Sequence, residues 1–225
     1  RRALPAWKSR PTTERAALLR GFAEQLGARR EELIALQMRN NGKPRHEAEI
    51  DLDDAVATFA YYAELAEQLP QKNRDVPLAA PGFTARTRLE AIGVVGLIVP
   101  WNFPLVISAW KLAPALAAGC TVVLKPSEIT PLIEQTYGQI AQQLALPAGV
   151  LNIVNGKAET GAALSGHNGL DKLSFTGSNG VGSQVMRAAA AQCRPVTLEL
   201  GGKSATMVLA DADIRQGIKD FSDWP

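Results

Sequence analysis

From Ile92 onward, short apolar runs rich in β-branched residues alternate with segments of helix length, and this alternation constrains the fold more than any other feature of the chain. The runs are "GVVGLIV", "TVVLKP", "VLNIVNG", "KLSFTG" and "VTLELG". The intervening segments include "LVISAWKLAPALAAG", "PLIEQTYGQIAQQLAL" and "GVGSQVMRAAAAQ". Strands that are apolar along their whole length have to be covered on both faces, which is the situation of a parallel sheet with helical crossovers. The pattern predicts an α/β fold: an open, mainly parallel sheet with flanking helices. Right-handed crossovers then bring every strand-to-helix turn to one edge, where open α/β sheets bind their ligands.

Ahead of this region the periodicity is helical. Residues 12–41 read as helix, with Thr12 or Thr13 as cap, Leu19, Phe22, Ala23 and Leu26 on one face, and "NNGKP" as the stop. Gly27 offers a break within it. A second helix is predicted from about Arg45 to Leu69, burying Ala48, Leu52, Ala55, Val56, Phe59, Ala63 and Ala66, with Pro70 ending it. A polar loop, "PQKNRDVPLAAPG", leads into "FTARTRLE", which alternates like a strand with one wet face.

Bulk properties exclude several classes of function. The 225 residues carry a formal net charge of +2, and no basic tract is interleaved with aromatics, so nucleic acid is not an expected partner. The longest apolar stretches, such as "AIGVVGLIVPW", are too short and proline-broken to span a bilayer. The opening "RRALPAWKSRPTTER" has charge but no hydrophobic run behind it, so no leader is expected there and a cytoplasmic location is. Two cysteines, Cys120 and Cys193, make no disulfide framework, and His46 and His167 lack partners at metal-ligand spacing.

Four strand ends carry chemically pointed residues. "GVVGLIV" leads into Pro100-Trp101-Asn102-Phe103-Pro104, and "TVVL" into Lys125-Pro126-Ser127-Glu128. "KLSF" leads into Thr176-Gly177-Ser178, and "VTL" into Glu199. Each has an ordinary alternative when taken singly. Lys125 and Glu128 can be a surface ion pair, Asn102 a turn former, the glycines a plain turn, and Glu199 the wet side of a half-buried strand.

Taken together and in order, the blocks "PWNFPL", "AWKLAPALAAGCTVVLKPSE", "LPAGVLNIVNG", "KLSFTGS" and "LELGGKS" resemble the NAD(P)-dependent aldehyde dehydrogenase superfamily, from about Pro11 to Ile214. "DLDDAVATFAYYAELAEQL", "GVVGLIVPWN" and "RPVTLELGGKS" look most like its betaine-aldehyde and aminoaldehyde members. The resemblance implies a Rossmann-like sheet and a role for each strand end. Asn102 would donate its amide to the oxyanion formed when a thiolate attacks the aldehyde, a contact worth ~3 kcal/mol where preorganised. Lys125 and Glu128 would hold the adenosine ribose; a carboxylate there repels the 2′-phosphate of NADP, so NAD is the expected cofactor. Ser178 and the helix behind it would meet the pyrophosphate, and Val181 the adenine. The implied cofactor site further includes Pro100, Trp101, Ser127, Gly156, Phe175, Gly177, Leu200 and Gly201. Glu199 would be the base that activates water for thioester hydrolysis, with Lys111 beside it in a proton relay. Phe103, Ile107 and Trp110 would wall the aldehyde tunnel, or simply pack one helix face.

The same resemblance implies a nucleophilic cysteine in a later segment resembling "FNQGQxC", and nothing like it occurs in these residues. The expectation is therefore an incomplete chain. Residues 1–201 would be an NAD-binding domain with a β-arm at about 80–90, and residues 202–225 the truncated start of a catalytic domain. By itself the chain would be inactive, and its full-length parent a homo-oligomer, dimer or tetramer. The alternative is a nucleotide-binding module without turnover. For the parent's substrate, Asp51 and Asp54 in "EIDLDDAV" are three apart on a helix and expected to share a face away from Leu52, Val56 and Phe59. Acids of this pattern would draw a cationic aldehyde to the tunnel, with Phe103 and Trp110 adding cation–π attraction.

Overall fold

A computed structural model describes residues 1–79, 82–205 and 207–217 of the chain. Its helical portion comprises α1 (Leu4–Ser9), α2 (Thr12–Ala28), α3 (Arg30–Asn41) and α4 (Arg45–Gln68), the last followed by a 3-10 turn over Leu69–Lys72. The break expected at Gly27 falls at Arg29, and Gly42 ends α3 in the left-handed conformation, φ 82°. Short α1 was not foreseen; its Trp7 is buried nonetheless. Helices α2 and α4 are stapled by the stacked rings of Phe22 and Phe59, centroids 5.0 Å apart.

Two short strands follow, β1 (Arg74–Val76) and β2 (Ala85–Thr87), paired antiparallel. The expected arm at about 80–90 thus has a partner strand inside what the sequence reads as a polar loop, while residues 80 and 81 lie outside the described residues. Arg-Asp-Val has little strand character, and pairing is supported instead by the Arg86–Asp75 ion pair and by Leu89 N–H donating to Asn73 Oδ1.

The remaining elements are β3 (Val94–Ile98), α5 (Pro104–Ala117), β4 (Thr121–Lys125), α6 (Leu132–Gln143), β5 (Leu151–Ile153), α7 (Ala158–Gly166), β6 (Lys172–Gly177), α8 (Asn179–Ala190) and β7 (Val196–Leu200). All five strands join one parallel sheet in the order β5-β4-β3-β6-β7. The chain therefore winds outward in one direction through β4 and β5, returns to pair β6 with β3, and winds outward the other way. Between β3 and β6 lies the switch point.

Alternation along β3 feeds two cores. Val95, Leu97 and Val99 face the core shared with α2, α4, α5 and α6, whereas Val94 and Ile98 face the smaller one of Leu170, Leu173, Phe175, Val185 and Ala189. Gly96 lies on the second face because there is no room for more: a Cβ would stand 2.7 Å from Leu170 Cδ1 and 3.0 Å from Leu173 Cδ2. Beyond Leu200 the described residues form no strand, and a helical turn begins at 214–217. The expected start of a further domain lies partly outside the described residues, at 206 and 218–225.

One buried group has no stabilising role. Glu134 in α6 is fully enclosed, and neither carboxylate oxygen has a hydrogen-bond partner. Burial pushes its pKa up to about 8, opposed less strongly by the nearby N–H of its own backbone and then by the charge of Lys125. Through the window from the usual carboxylate range to about 8, the folded chain keeps a proton that the unfolded chain has lost. Stability should therefore fall as pH rises, by up to about 1.4 kcal/mol per pH unit. In urea unfolding, Glu134→Gln should gain on the native chain until about pH 8 and level off above it. A gap that does not change with pH would show the carboxyl to be ionised in the fold.

Candidate active site

Because all five strands run parallel, their carboxyl ends define one rim. Crossing the sheet, the rim carries Gly156 after β5, Lys125, Ser127 and Glu128 at β4, Pro100 and Trp101 after β3, Phe175, Gly177 and Ser178 at β6, and Leu200 and Gly201 at β7. Val181, the remaining residue of the expected cofactor set, lies beyond the rim in the first turn of α8. Lys125 is buried and donates from Nζ to the carbonyl of Pro126 (2.9 Å) and to Glu128 Oε2 (3.2 Å). Glu128 stays half out in solvent, its pKa held down first by its own backbone N–H and then by Lys125. Ser127 Oγ accepts from the N–H of Ile129.

At β6, Ser178 is the N-cap of α8, and its Oγ accepts from Val181 N–H at 3.4 Å. Helix α8 packs very closely on β7: a Cβ at Gly182 would lie 2.4 Å from Leu200. At Gly180, by contrast, a Cβ would meet nothing within 4 Å. Among the described residues the N–H groups of Asn179 and Gly180, at the open start of α8, have no partner, the arrangement that suits an anion. Gly201 N–H is tied back to Asn179 Oδ1 at 3.0 Å.

Below the rim, a groove of about 790 Å³ runs between α5 and the strands β6 and β7. Its polar wall follows from strand alternation. Lys172, Ser174 and Thr176 on β6, with Thr197 and Glu199 on β7, face the groove, while Leu173, Phe175, Val196 and Leu198 face the opposite core. Helix α5 contributes Ile107, Trp110 and Lys111. Lys111 Nζ donates to Ser174 Oγ at 2.8 Å. Burial lowers the Lys111 pKa to about 8; the charge of Glu199 opposes this and that of Lys172 adds to it. Glu199, Lys111, Ile107 and Trp110 therefore line one groove. Ser174 was missed, although its place in the alternation of "KLSFTG" puts it on the same face as Thr176. Cys120 also lines the groove but is buried, whereas Cys193 is exposed and not among the lining residues.

The expected shared face of Asp51 and Asp54 does not hold. Asp51 is 4% exposed and paired with Lys43, which is equally enclosed. Burial raises the Asp51 pKa and the Lys43 bond opposes it. With 3.6 residues per turn, a three-residue step rotates about 60° short of a full turn, enough here to carry Asp51 under the packed edge of α4 while Asp54 stays outside. Asp54 lines a second hollow of about 280 Å³ with Tyr61, Tyr62 and Trp110. Phe103 does not line the groove. It precedes α5, and Lys43 Nζ sits 3.8 Å from its ring centroid. Asn102 is exposed on the rim loop. Among the described residues no cluster of His, Cys, Asp and Glu could hold a metal ion, and no helix is long and apolar enough to cross a membrane.

A five-stranded parallel sheet wound in both directions from β3, with an acid-and-lysine groove beneath one rim, defines a doubly wound α/β class, and comparison with known families supplies the particular. The aldehyde dehydrogenase family matches residues 1–222, and the chain belongs to that family. It is 44% identical over 215 residues to the chloroplastic betaine aldehyde dehydrogenase of Beta vulgaris, covering 95% of this chain and 43% of that one. To the peroxisomal aminoaldehyde dehydrogenase 1 of Pisum sativum it is 46% identical over 211 residues, 92% of this chain and 42% of that one. The solved betaine aldehyde dehydrogenase of Staphylococcus aureus in complex with NAD+ superposes with a TM-score of 0.94 at 35% identity, over 97% of this chain and 44% of that one. The chain spans less than half the length of these relatives. Two of them are named for the chloroplast and the peroxisome, so membership does not single out the cytoplasmic location expected from sequence.

The charges around Lys111 make a direct prediction. A side-chain NMR titration should find Lys111 half-protonated near pH 8. Glu199→Gln should lower that midpoint further and Lys172→Met should raise it. An ordinary lysine midpoint, unmoved by either change, would mean that the groove is fully solvated at Lys111.

Proposed function

We propose that this chain is the dinucleotide-binding portion of an NAD-dependent aldehyde dehydrogenase that oxidises aldehydes bearing an amine or quaternary ammonium group. The observation that carries the reading is the junction of Glu199 and Lys111 in one groove beneath a rim lined with Lys125, Glu128 and the open first turn of α8. In this reading residues 1–201 form the cofactor domain, and residues from 202 onward open a catalytic part. The parent assembles as a dimer or tetramer.

NAD fits the residues present. Lys125 and Glu128 offer a cation and an acceptor to a ribose diol, and the first turn of α8 offers backbone donors where Gly180 leaves room for a pyrophosphate. When bound, NAD supplies the hydride acceptor. The attacking thiolate is assigned in this reading to the catalytic part, and the residues of this chain act around it. Asn102 donates its amide to the oxyanion, Glu199 takes a proton from water, and Lys111, titrating near 8, passes that proton along. For the substrate cation, Asp54 with Trp110, Tyr61 and Tyr62 supplies one carboxylate among aromatic rings, which suits an ammonium group. Names of the relatives, betaine aldehyde and aminoaldehyde dehydrogenase, support that class.

Calorimetric titration tests the cofactor assignment. The chain should bind NAD in preference to NADP, and Glu128→Ala should shrink that preference roughly tenfold. An unchanged ratio would remove Glu128 from the ribose. Aldehyde oxidation is expected of the chain completed by a catalytic half, and not of the 225 residues by themselves, because buried Cys120 and distant Cys193 are poor nucleophiles for this groove. NADH formation by the 225-residue chain that survives Cys120→Ala with Cys193→Ala would overturn this. In the completed enzyme, Asp54→Asn should raise KM for a cationic aldehyde and leave a neutral aliphatic one unaffected; an equal effect on both would reduce Asp54 to a surface charge.

A further inference from the structure

The turn that ends α3 belongs to no strand edge, yet it grips the loop that carries Asn102. Asn41 Nδ2 donates to the carbonyl of Trp101 at 2.6 Å and to that of Asn102 at 3.2 Å. Thr130 Oγ1 donates to the same Trp101 carbonyl from the other side, at 3.2 Å. Lys43 Nζ covers the ring of Phe103 at 3.8 Å and is held in place by the buried carboxylate of Asp51. The preceding residue, Asn40, anchors the turn to α6 by accepting from Leu132 N–H at 3.1 Å.

The geometry has a specific consequence. The φ and ψ torsions of a residue set how the peptide planes on either side of it are oriented to one another. The carbonyls of Trp101 and Asn102 belong to the two planes flanking the Asn102 Cα, and one amide group binds both. Asn41 therefore sets the direction in which the Asn102 side chain leaves the backbone. Lys43 fixes the next residue by its ring. The Lys43–Asp51 pair is costly to bury, and an apolar pair of the same volume would serve packing at least as well. What an apolar pair cannot do is hold a cation against Phe103.

We infer that Asn41, Lys43 and Asp51 are positioning residues that clamp the Trp101–Phe103 loop and act on the reaction through the Asn102 amide, without touching substrate. The inference rests on the reading of Asn102 as the oxyanion donor and gives Asp51 a role different from the substrate contact expected of it. A donor of that kind has to stand within hydrogen-bond distance of the developing charge, and a displacement of about 1 Å can cost ~10²-fold in rate.

Backbone 15N relaxation of the 225-residue chain tests the clamp directly. The variants are Asn41→Ala, Lys43→Arg, and Lys43→Met combined with Asp51→Leu. The double change replaces the pair by apolar side chains and avoids leaving one buried charge unpaired. In Asn41→Ala and the double variant, order parameters of the Trp101, Asn102 and Phe103 amides should fall from about 0.85 toward about 0.6, with α2 and α4 unchanged. Lys43→Arg should keep the native values. A loop that stays rigid in both loosened variants, or order lost equally throughout α2 and α4, would overturn the clamp. In the completed enzyme, Asn41→Ala should lower kcat at least tenfold with little change in KM for NAD. A loosened loop with kcat intact would leave the clamp standing and remove Asn102 from the oxyanion.

Discussion

Everything in this molecule depends on a central strand that is buried on both faces. β3 pairs with β4 on one side and β6 on the other, and its side chains alternate between two separate cores. One face carries the weight of α2, α4, α5 and α6. The other has space only for glycine at position 96. Among the described residues the large helical layer packs on β3, β4 and β5, while β6 and β7 face α5 across the open groove. Polar residues can alternate there without cost, and the groove with Lys111, Ser174 and Glu199 is the result.

Burial has opposite consequences for acids and bases, and both appear near that core. It pushes Glu134 up to about 8 and Lys111 down to about 8. The first is enclosed without a partner and stands near neutrality as an uncharged acid. The second keeps a hydroxyl partner and the field of Glu199, so its charge changes within the working pH range. Desolvation supplies both shifts, but only the lysine stands where a proton can be used.

Much of this was legible in the sequence because the signals are local. The strands from "GVVGLIV" to "VTLELG" are each identifiable by composition, and parallel pairing then assigns their ends to one rim without further information. What escaped depends on contacts distant along the chain. Strand β1 has almost no strand character of its own and exists through β2. Asp51 and Asp54 stand only about 60° apart on a helical wheel, and which of them is buried depends on the packed edge of α4 and on Lys43, which pairs with Asp51. Asn41 reads as part of a helix stop in "NNGKP"; its bonds to Trp101 and Asn102, about sixty residues on, have no local signature.

The order of strands also dictates a sequence of events in time. β3 meets β4 across a single helix, but its other neighbour arrives much later: the carboxylate of Asp171, at the start of β6, accepts from Val94 N–H across 77 residues, and Arg1 bonds to Asp171 across 170. Loop-closure entropy must be met before such contacts return anything, and pairings of this range are slow. The helical layer with β3 and β4 is therefore expected to collapse first, leaving one edge of β3 as an unsatisfied template until β6 docks. During that interval the apolar edge is open to any other strand, and pulse-labelled hydrogen exchange would detect the lag as late protection of β6 and β7.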